Sequence, residues 1–416
     1  MAFILDKALK LSWLYLDLNS YFATIEQQLN PELRNKPIVV LPVMTDATCA
    51  IAASYEAKAK GIRTGTKIYE AKRLCPELIC VEASHTKYID YHHRILNEVE
   101  KLLHIDHVFS IDECACKLTG DLTKEANALA IAQKIKDAIR LNVGDYIDCS
   151  IGIAPNRFLA KVATDMQKPD GLVVINPVDL PHKLYSLKLR DIPGIGHKVF
   201  QRLAASNINS IEALYAADKR QLRAIWGSIA GEKCWYLLRG VDFPHLESEQ
   251  RSISHSKILS PEGRTPQLAR EVALKLLLQA TQRLRSDRLF ATGLGIYFST
   301  LERKSFKEYC RIPASNDSTL FSRLMLAKWD QMISNNSVVA IRKIVIVLSG
   351  LSKEPAQLSF DDMFSNQAQL KKQERLHQGM DLLNKKYGKS LVNTGVLADK
   401  DRNPEKIVFG YIPEKK

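Results

Sequence analysis

The chain has 416 residues, of which 46% are hydrophobic and 25% charged. It is too long for one ordinary hydrophobic core and too apolar to stay disordered, which excludes a single small module and points to two to four domains. The formal net charge is +13, and 28 basic against 16 acidic residues lie in 251–416, so nearly all the excess belongs to the last two fifths and favours a separate module that grips a polyanion, nucleic acid ahead of a merely basic surface.

No uncharged apolar run of about eighteen residues occurs, and Asp6, Lys7 and Lys10 interrupt the first segment, so a membrane-spanning or secreted protein is not expected. The eight cysteines form no CxxC pair and no zinc spacing, which reads as reduced thiols in a cytosol. In chain order, SWLYLDL (12–18) predicts a buried strand with Asp17 at its end, and SYFATIEQQL a helix. PIVVL and CAIAA predict two further strands, followed by helical SYEAKAK and IYEAKRL on either side of a Gly61/Gly65 turn. A long helix over 86–103, paired strands in VFSIDE and CACKL, an amphipathic helix in KEANALAIAQKIKDAIRL, a strand in DCSIGIA and a helix in PNRFLAKVATDM follow. This alternation predicts an α+β layer whose sheet gathers Asp17 with Asp112 and Glu113.

From Asn176 onward the pattern changes to short helices punctuated by glycine, an all-helical domain closing near Gly240. A linker without periodicity precedes a β-α-β-β-α-β order, which can bury two helices on one sheet face and leave the other open. The tail beyond Lys353 is polar, with one helical run near 376–386.

Three carboxylates emerging from apolar strands are costly unless paired with cations, and hard divalent ions that assist phosphoryl transfer prefer such oxygen ligands. Read alone, adjacent Asp-Glu is more often a solvated turn. Tyr55 and Lys58 share a helical face and Lys161 can reach the same sheet edge, a set suited to a triphosphate, although each lysine singly is usually solvated. IPGIG (192–196) places Gly194 and Gly196 before a helix with Lys198 beyond them, so backbone N–H groups can meet a phosphate as in a helix-hairpin-helix. GSIAG (227–231) is a poorer second copy of the pattern.

These residues, taken together, closely resemble the Y-family of translesion DNA polymerases. DLNSYFATIEQQLNPELRNKPIVVL is similar to that family's first metal motif, FSIDE to its second, SYEAKAKGIRTG to its fingers motif and SIGIAPNRFLAKVATDMQKPDGL to its palm motif. The likeness runs from about Leu14 to about Gly350. Asn19, where many members carry Asp, and the tail QLSFDDMF followed by LLNKKYGKSL lean toward the UmuC-like catalytic subunit of polymerase V. Lys58 stands where Arg is frequent in the fingers motif.

The resemblance implies an α+β, multidomain, right-hand polymerase. Its mixed-sheet palm would be 1–20 and 84–175, its small fingers 21–83, its helical thumb 176–245, a linker 246–253, its β-α-β-β-α-β little finger 254–350 and its tail 351–416. It further implies that Asp17, Asp112 and Glu113 bind two Mg²⁺ ions with the Leu18 carbonyl. Phe22 would be the steric gate against a 2′-hydroxyl, with Tyr21 beside it, while Tyr55, Lys58 and Lys161 hold the dNTP triphosphate. Primer-template DNA would lie on Gly194, Gly196 and Lys198 and on the basic little finger. Gln357, Leu358 and Phe360 resemble part of a sliding-clamp-binding peptide, and accessory mutagenesis subunits are further expected partners. The expected setting is a bacterial cytoplasm, at the nucleoid, without membrane contact. Two other classes stay open at this level, a non-catalytic DNA- and clamp-binding scaffold and a two-metal nuclease. Retained carboxylates speak against the first, and a gate aromatic with a fingers motif against the second.

Overall fold

Trp13–Leu18 forms β1 and is buried at all six positions, as suits a strand covered on both faces. Asp17, in that run, therefore has to find partners. The computed structural model describes residues 9–244, 250–336, 338–354 and 367–387, in two compact units, the first carrying 9–244 and the second the remainder.

In the first unit α1 (Tyr21–Leu29) leads to a small sheet of β2 (Ile38–Leu41), β3 (Ala52–Ala53) and β4 (Ile79–Glu82). Its order is β3-β2-β4, and α2 (Tyr55–Ala59) and α3 (Ile68–Leu74) accompany it. α4 (His85–Leu102), β5 (His107–Ser110), β6 (Glu113–Lys117), α5 (Glu125–Asn142), β7 (Cys149–Ala154), α6 (Arg157–Met166) and β8 (Leu172–Val174) follow. The larger sheet is ordered β5-β6-β1-β7-β8, with β1 central and antiparallel to β6 and β7. Strand periodicity divides β1 between two cores. Leu14 and Leu16 pack with Ile95 of α4 and Ile135 of α5, whereas Trp13 and Tyr15 pack with Leu159 and Val162 of α6. Asp17 shares the parity of Trp13 and Tyr15, so it faces α6. That helix lies close because position 152 is glycine, where a β-carbon would stand 2.0 Å from the Ala160 carbonyl oxygen.

α7 (His197–Ala205), α8 (Ile211–Ala216), α9 (Lys219–Trp226) and α10 (Ile229–Leu238) close the unit, joined through Leu203, Ile211, Leu222 and Leu238.

Some expectations change. CAIAA is strand only at Ala52–Ala53, because Ala50 pairs its N–H and carbonyl with Thr66 and Gly65 instead of with β2. β4 and β8, four and three residues long, carry too little pattern to be read from sequence. GSIAG is not a second phosphate loop. Gly227 ends α9 with φ 68°, and Gly231 lies buried within α10, its β-carbon position 2.1 Å from the Leu222 carbonyl oxygen, so it packs two helices together.

In the second unit β9 (Ser252–Ile258), α11 (Pro266–Ser286), β10 (Phe290–Thr300), β11 (Ser305–Ser315), α12 (Ser318–Asn336) and β12 (Ile341–Ser352) follow the expected β-α-β-β-α-β order. The antiparallel sheet runs β11-β10-β12-β9. Leu284 of α11 and Phe321 and Trp329 of α12 cover one face with Leu294, Ile296 and Ile346. On β11 every second residue, Lys307, Tyr309 and Arg311 among them, is exposed, which leaves the other face open and basic. α13 (Gln367–Tyr387) carries the expected tail helix and is tied by Asp381, which accepts from Arg285 Nε at 2.7 Å and Nη2 at 2.9 Å. Among the described residues no helix is long and apolar enough to cross a membrane. The tetrad with Gln357, Leu358 and Phe360 lies outside the described residues.

Candidate active site

The larger sheet brings Asp17 and Glu113 directly opposite each other in register. Asp112 sits in the turn before β6, its carbonyl accepting the Leu18 N–H at 2.8 Å, which fixes the Leu18 peptide beside both acids. The register and this turn place the three expected carboxylates at the same end of the larger sheet.

Two lysines face them. Lys161 Nζ contacts Asp17 Oδ2, lies 2.7 Å from Glu113 Oε1 and 3.7 Å from Asp165. Lys168 Nζ lies 2.6 Å from Asp17 Oδ1 and 2.8 Å from Asp165 Oδ1. Burial works against the charge on Asp17, yet Lys161 and Lys168 together hold its carboxyl below the usual range. Glu113, which accepts from the Tyr15 hydroxyl at 3.0 Å, is pushed up by burial despite Lys161. Asp112 is likewise raised by burial, and its carboxyl accepts from Ser110 Oγ at 2.5 Å.

Among the described residues no three His, Cys, Asp or Glu side chains stand together as they lie in a metal-holding group. The donor chemistry nevertheless fits a hard cation. Asp17 and Glu113 already converge on one cationic group, the Lys161 ammonium, and Asp112 and the Leu18 peptide adjoin them.

A further contribution arrives from α2. Ser54 caps this helix by accepting the Ala57 N–H, and Lys58 Nζ donates to Ser20 Oγ at 2.6 Å while lying 4.4 Å from the Tyr55 ring centroid. Burial, then repulsion from Lys168, lowers the Lys58 pKa, and burial lifts Tyr55 to about 12. Both therefore belong to the same electrostatic site as Asp17.

Phe22 and Tyr21 open α1 but do not stand free: they are 2% and 4% exposed. The Phe22 ring stacks on Tyr88 with centroids 4.4 Å apart. Tyr21 donates its hydroxyl to the Tyr88 carbonyl at 2.6 Å, and Tyr88 donates its own to Glu26 at 2.8 Å.

In the loop before α7, Gly194 has φ 87°, Gly196 is the N-cap of the helix, and Lys198 lies in its first turn. All three are exposed, and β-carbons at either glycine would meet nothing within 4 Å, so the loop is open to a phosphate. Sequence reading missed Lys168, Asp165 and Tyr15. Asp165 lies one helical turn after Lys161 and was open to that spacing, whereas Lys168 lies beyond the end of α6 at Met166, where no helical spacing applies. Asn19 donates through Nδ2 to Ser150 Oγ at 3.1 Å.

Two family models match the chain. The impB/mucB/samB family covers residues 16–165, and its C-terminal domain covers 250–360. A DNA polymerase IV from Moorella thermoacetica is 31% identical over 396 residues, covering 92% of this chain and 96% of that protein. DNA polymerase IV 1 of Bacillus subtilis is 27% identical over 402 residues, with 94% of each chain covered. Among solved structures, a Y-family DNA polymerase chimera of Dbh and Dpo4 superposes with a TM-score of 0.71 at 23% identity, over 82% of this chain and all of that one. An insertion ternary complex of Dbh DNA polymerase gives 0.56 at 23% identity, over 84% and 100%. These last two bear on the fold.

Proposed function

The chain belongs to the impB/mucB/samB family, the Y-family DNA polymerases, and is a DNA-directed DNA polymerase, and from that membership we propose an error-prone translesion enzyme that adds dNMP to a primer end at the Asp17–Asp112–Glu113 edge. The observation that carries the site is the register of Asp17 against Glu113, with Lys161 and Lys168 on the same oxygens. The relatives bear the name DNA polymerase IV, while Asn19 and the tail favour a polymerase V catalytic subunit within the same family.

Asp17, Asp112, Glu113 and the Leu18 carbonyl would hold two Mg²⁺ ions, which supply charge stabilisation at the attacking and leaving oxygens. The chain's other groups bind and orient. Lys161, Lys168 and Lys58 place positive charge where a triphosphate would lie, and Tyr55 adds a hydroxyl that burial keeps neutral. Phe22, clamped by Tyr88, is a rigid wall against which a 2′-hydroxyl would collide. Gly194, Gly196 and Lys198 hold a DNA phosphate at the start of α7, and Lys307, Tyr309 and Arg311 on the open sheet of the second unit hold more of the backbone. A sliding clamp, through Gln357, Leu358 and Phe360, and accessory subunits remain proposed partners of a nucleoid-bound enzyme.

Primer extension with Mg²⁺ and dNTPs tests the reading. Asp112→Ala should abolish incorporation and leave primer-template affinity nearly intact. Extension by a pure Asp112→Ala preparation would remove Asp112 from the site.

A further inference from the structure

Lys136 projects from α5 with its side chain 4% exposed. Nζ donates to the carbonyl oxygens of Cys149 at 3.1 Å, Asp170 at 2.6 Å and Gly171 at 3.2 Å, and Asp170 Oδ1 lies 2.7 Å away. An ammonium has three hydrogens, so these acceptors saturate it, the condition under which a buried charge is tolerated. Two of the three carbonyls, and the Asp170 carboxylate, belong to the turn 167–171 that follows α6.

The same turn is held from other sides. Asn19 Oδ1 accepts the Asp170 N–H at 2.8 Å, and Ser150 Oγ accepts the Gly171 N–H at 3.2 Å and donates to the Gln167 carbonyl at 3.3 Å. Arg140, one helical turn beyond Lys136, reaches Asp170 Oδ2 at 2.5 Å and Asp148 Oδ1 at 3.0 Å. The path is tight: Asp170 is left-handed with φ 56°, and a β-carbon at Gly171 would stand 1.8 Å from the Gln167 carbonyl oxygen. From this pinned turn Lys168 leaves toward Asp17 and Asp165.

We propose that Lys136 is a positioning residue for nucleotide binding, fixing the turn 167–171 so that Lys168 presents its ammonium to the incoming triphosphate. Lys136 itself touches none of Asp17, Asp112 and Glu113, so its action on the nucleotide passes through the turn. An apolar side chain at 136 would remove the ammonium from the Asp170 carbonyl, leave the Gly171 carbonyl with the Ile151 N–H alone, and leave Arg140 as the turn's remaining anchor on the α5 side. The inference rests on the polymerase reading, because it concerns how Lys168 meets a dNTP.

The test is steady-state single-nucleotide extension by the full chain, reading KM for dNTP, kcat and primer-template Kd. Lys136→Met should raise KM roughly tenfold, the scale of a loosened charge-assisted contact, with Kd unchanged. Lys168→Met should raise KM at least as much, and the double variant should be no worse than Lys168→Met, since both act through one group. Lys136→Arg should recover most of the loss by donating to the same carbonyls. Exposed Lys134→Met should behave as wild type. Should Lys136→Met fail to fold, Asn19→Ala and Ser150→Ala release the turn without stranding a charge, and each should raise KM only while Lys168 is present. Wild-type KM in a folded Lys136→Met, an additive rise in the double variant, or unchanged KM in both substitute variants overturns the proposal while leaving the polymerase reading intact. A wild-type chain that extends no primer refutes that reading, and the proposal with it.

Discussion

Replacing Phe22 should alter sugar selection and stability together, because its ring is 2% exposed and stacked on Tyr88 in the core between α1 and α4. Truncating a buried Phe to Ala costs about 3–5 kcal/mol, lost transfer energy plus a cavity. A unit of this size loses about 2–4 °C of melting temperature per kcal/mol, so Phe22→Ala should melt roughly 6–20 °C lower. Phe22→Leu keeps more of the apolar volume, leaves a smaller cavity and should cost less than the alanine variant. The cavity left by Ala lies where the ring would face a sugar, so incorporation of rNTPs relative to dNTPs should rise in Phe22→Ala and less in Phe22→Leu. Thermal melting followed by circular dichroism and paired rNTP and dNTP extension below the mutant's melting point read both effects. An unchanged melting temperature would show that the ring is not packed as described. A folded Phe22→Ala with wild-type rNTP discrimination would show that this wall does not choose the sugar.

Asp112→Asn should abolish extension yet raise the melting temperature of the metal-free chain at neutral pH. Burial raises the Asp112 pKa in the fold, so its ionised form is disfavoured there once pH passes the ordinary carboxylate range, and the gain from Asn should vanish toward about pH 4. Primer-template affinity should fall steeply with salt, at about −0.7 to −0.9 in log–log slope per phosphate neutralised. Lys198→Ala should flatten that slope by about one unit in a salt titration, whereas deleting 251–416 should flatten it far more. Alanine at Gln357, Leu358 and Phe360 together should leave the salt slope alone and remove stimulation by a sliding clamp, since a tether adds no DNA contact. Full stimulation of that triple variant would make the tetrad a chance match.

Much of this architecture is written in short-range pattern. β1 announces itself because a strand covered on both faces must be apolar at every position, and Asp17 stands out in LYLDL for the same reason. The helix pair on one face of the second sheet follows from strand and helix order alone. What sequence could not display is side-chain convergence across long separations. Lys168 meets Asp17 across 151 residues, and Lys136 meets Asp170 across 34. Lys136 reads as a solvated lysine of an ordinary helix face, and Lys168 as a solvated lysine of the turn after one. Phe22 marks a different limit, because its position in the motif names a role while only the fold shows Tyr88 holding it in the core. A buried cation is uninformative as a residue type and highly informative once its acceptors are known, since the desolvation cost obliges every hydrogen to find a partner. The three carboxylates were legible because acids at strand ends violate the local pattern. Lys161 was legible with them, whereas Lys168, which shares Asp17 with it, was not, because nothing in its local pattern sets it apart.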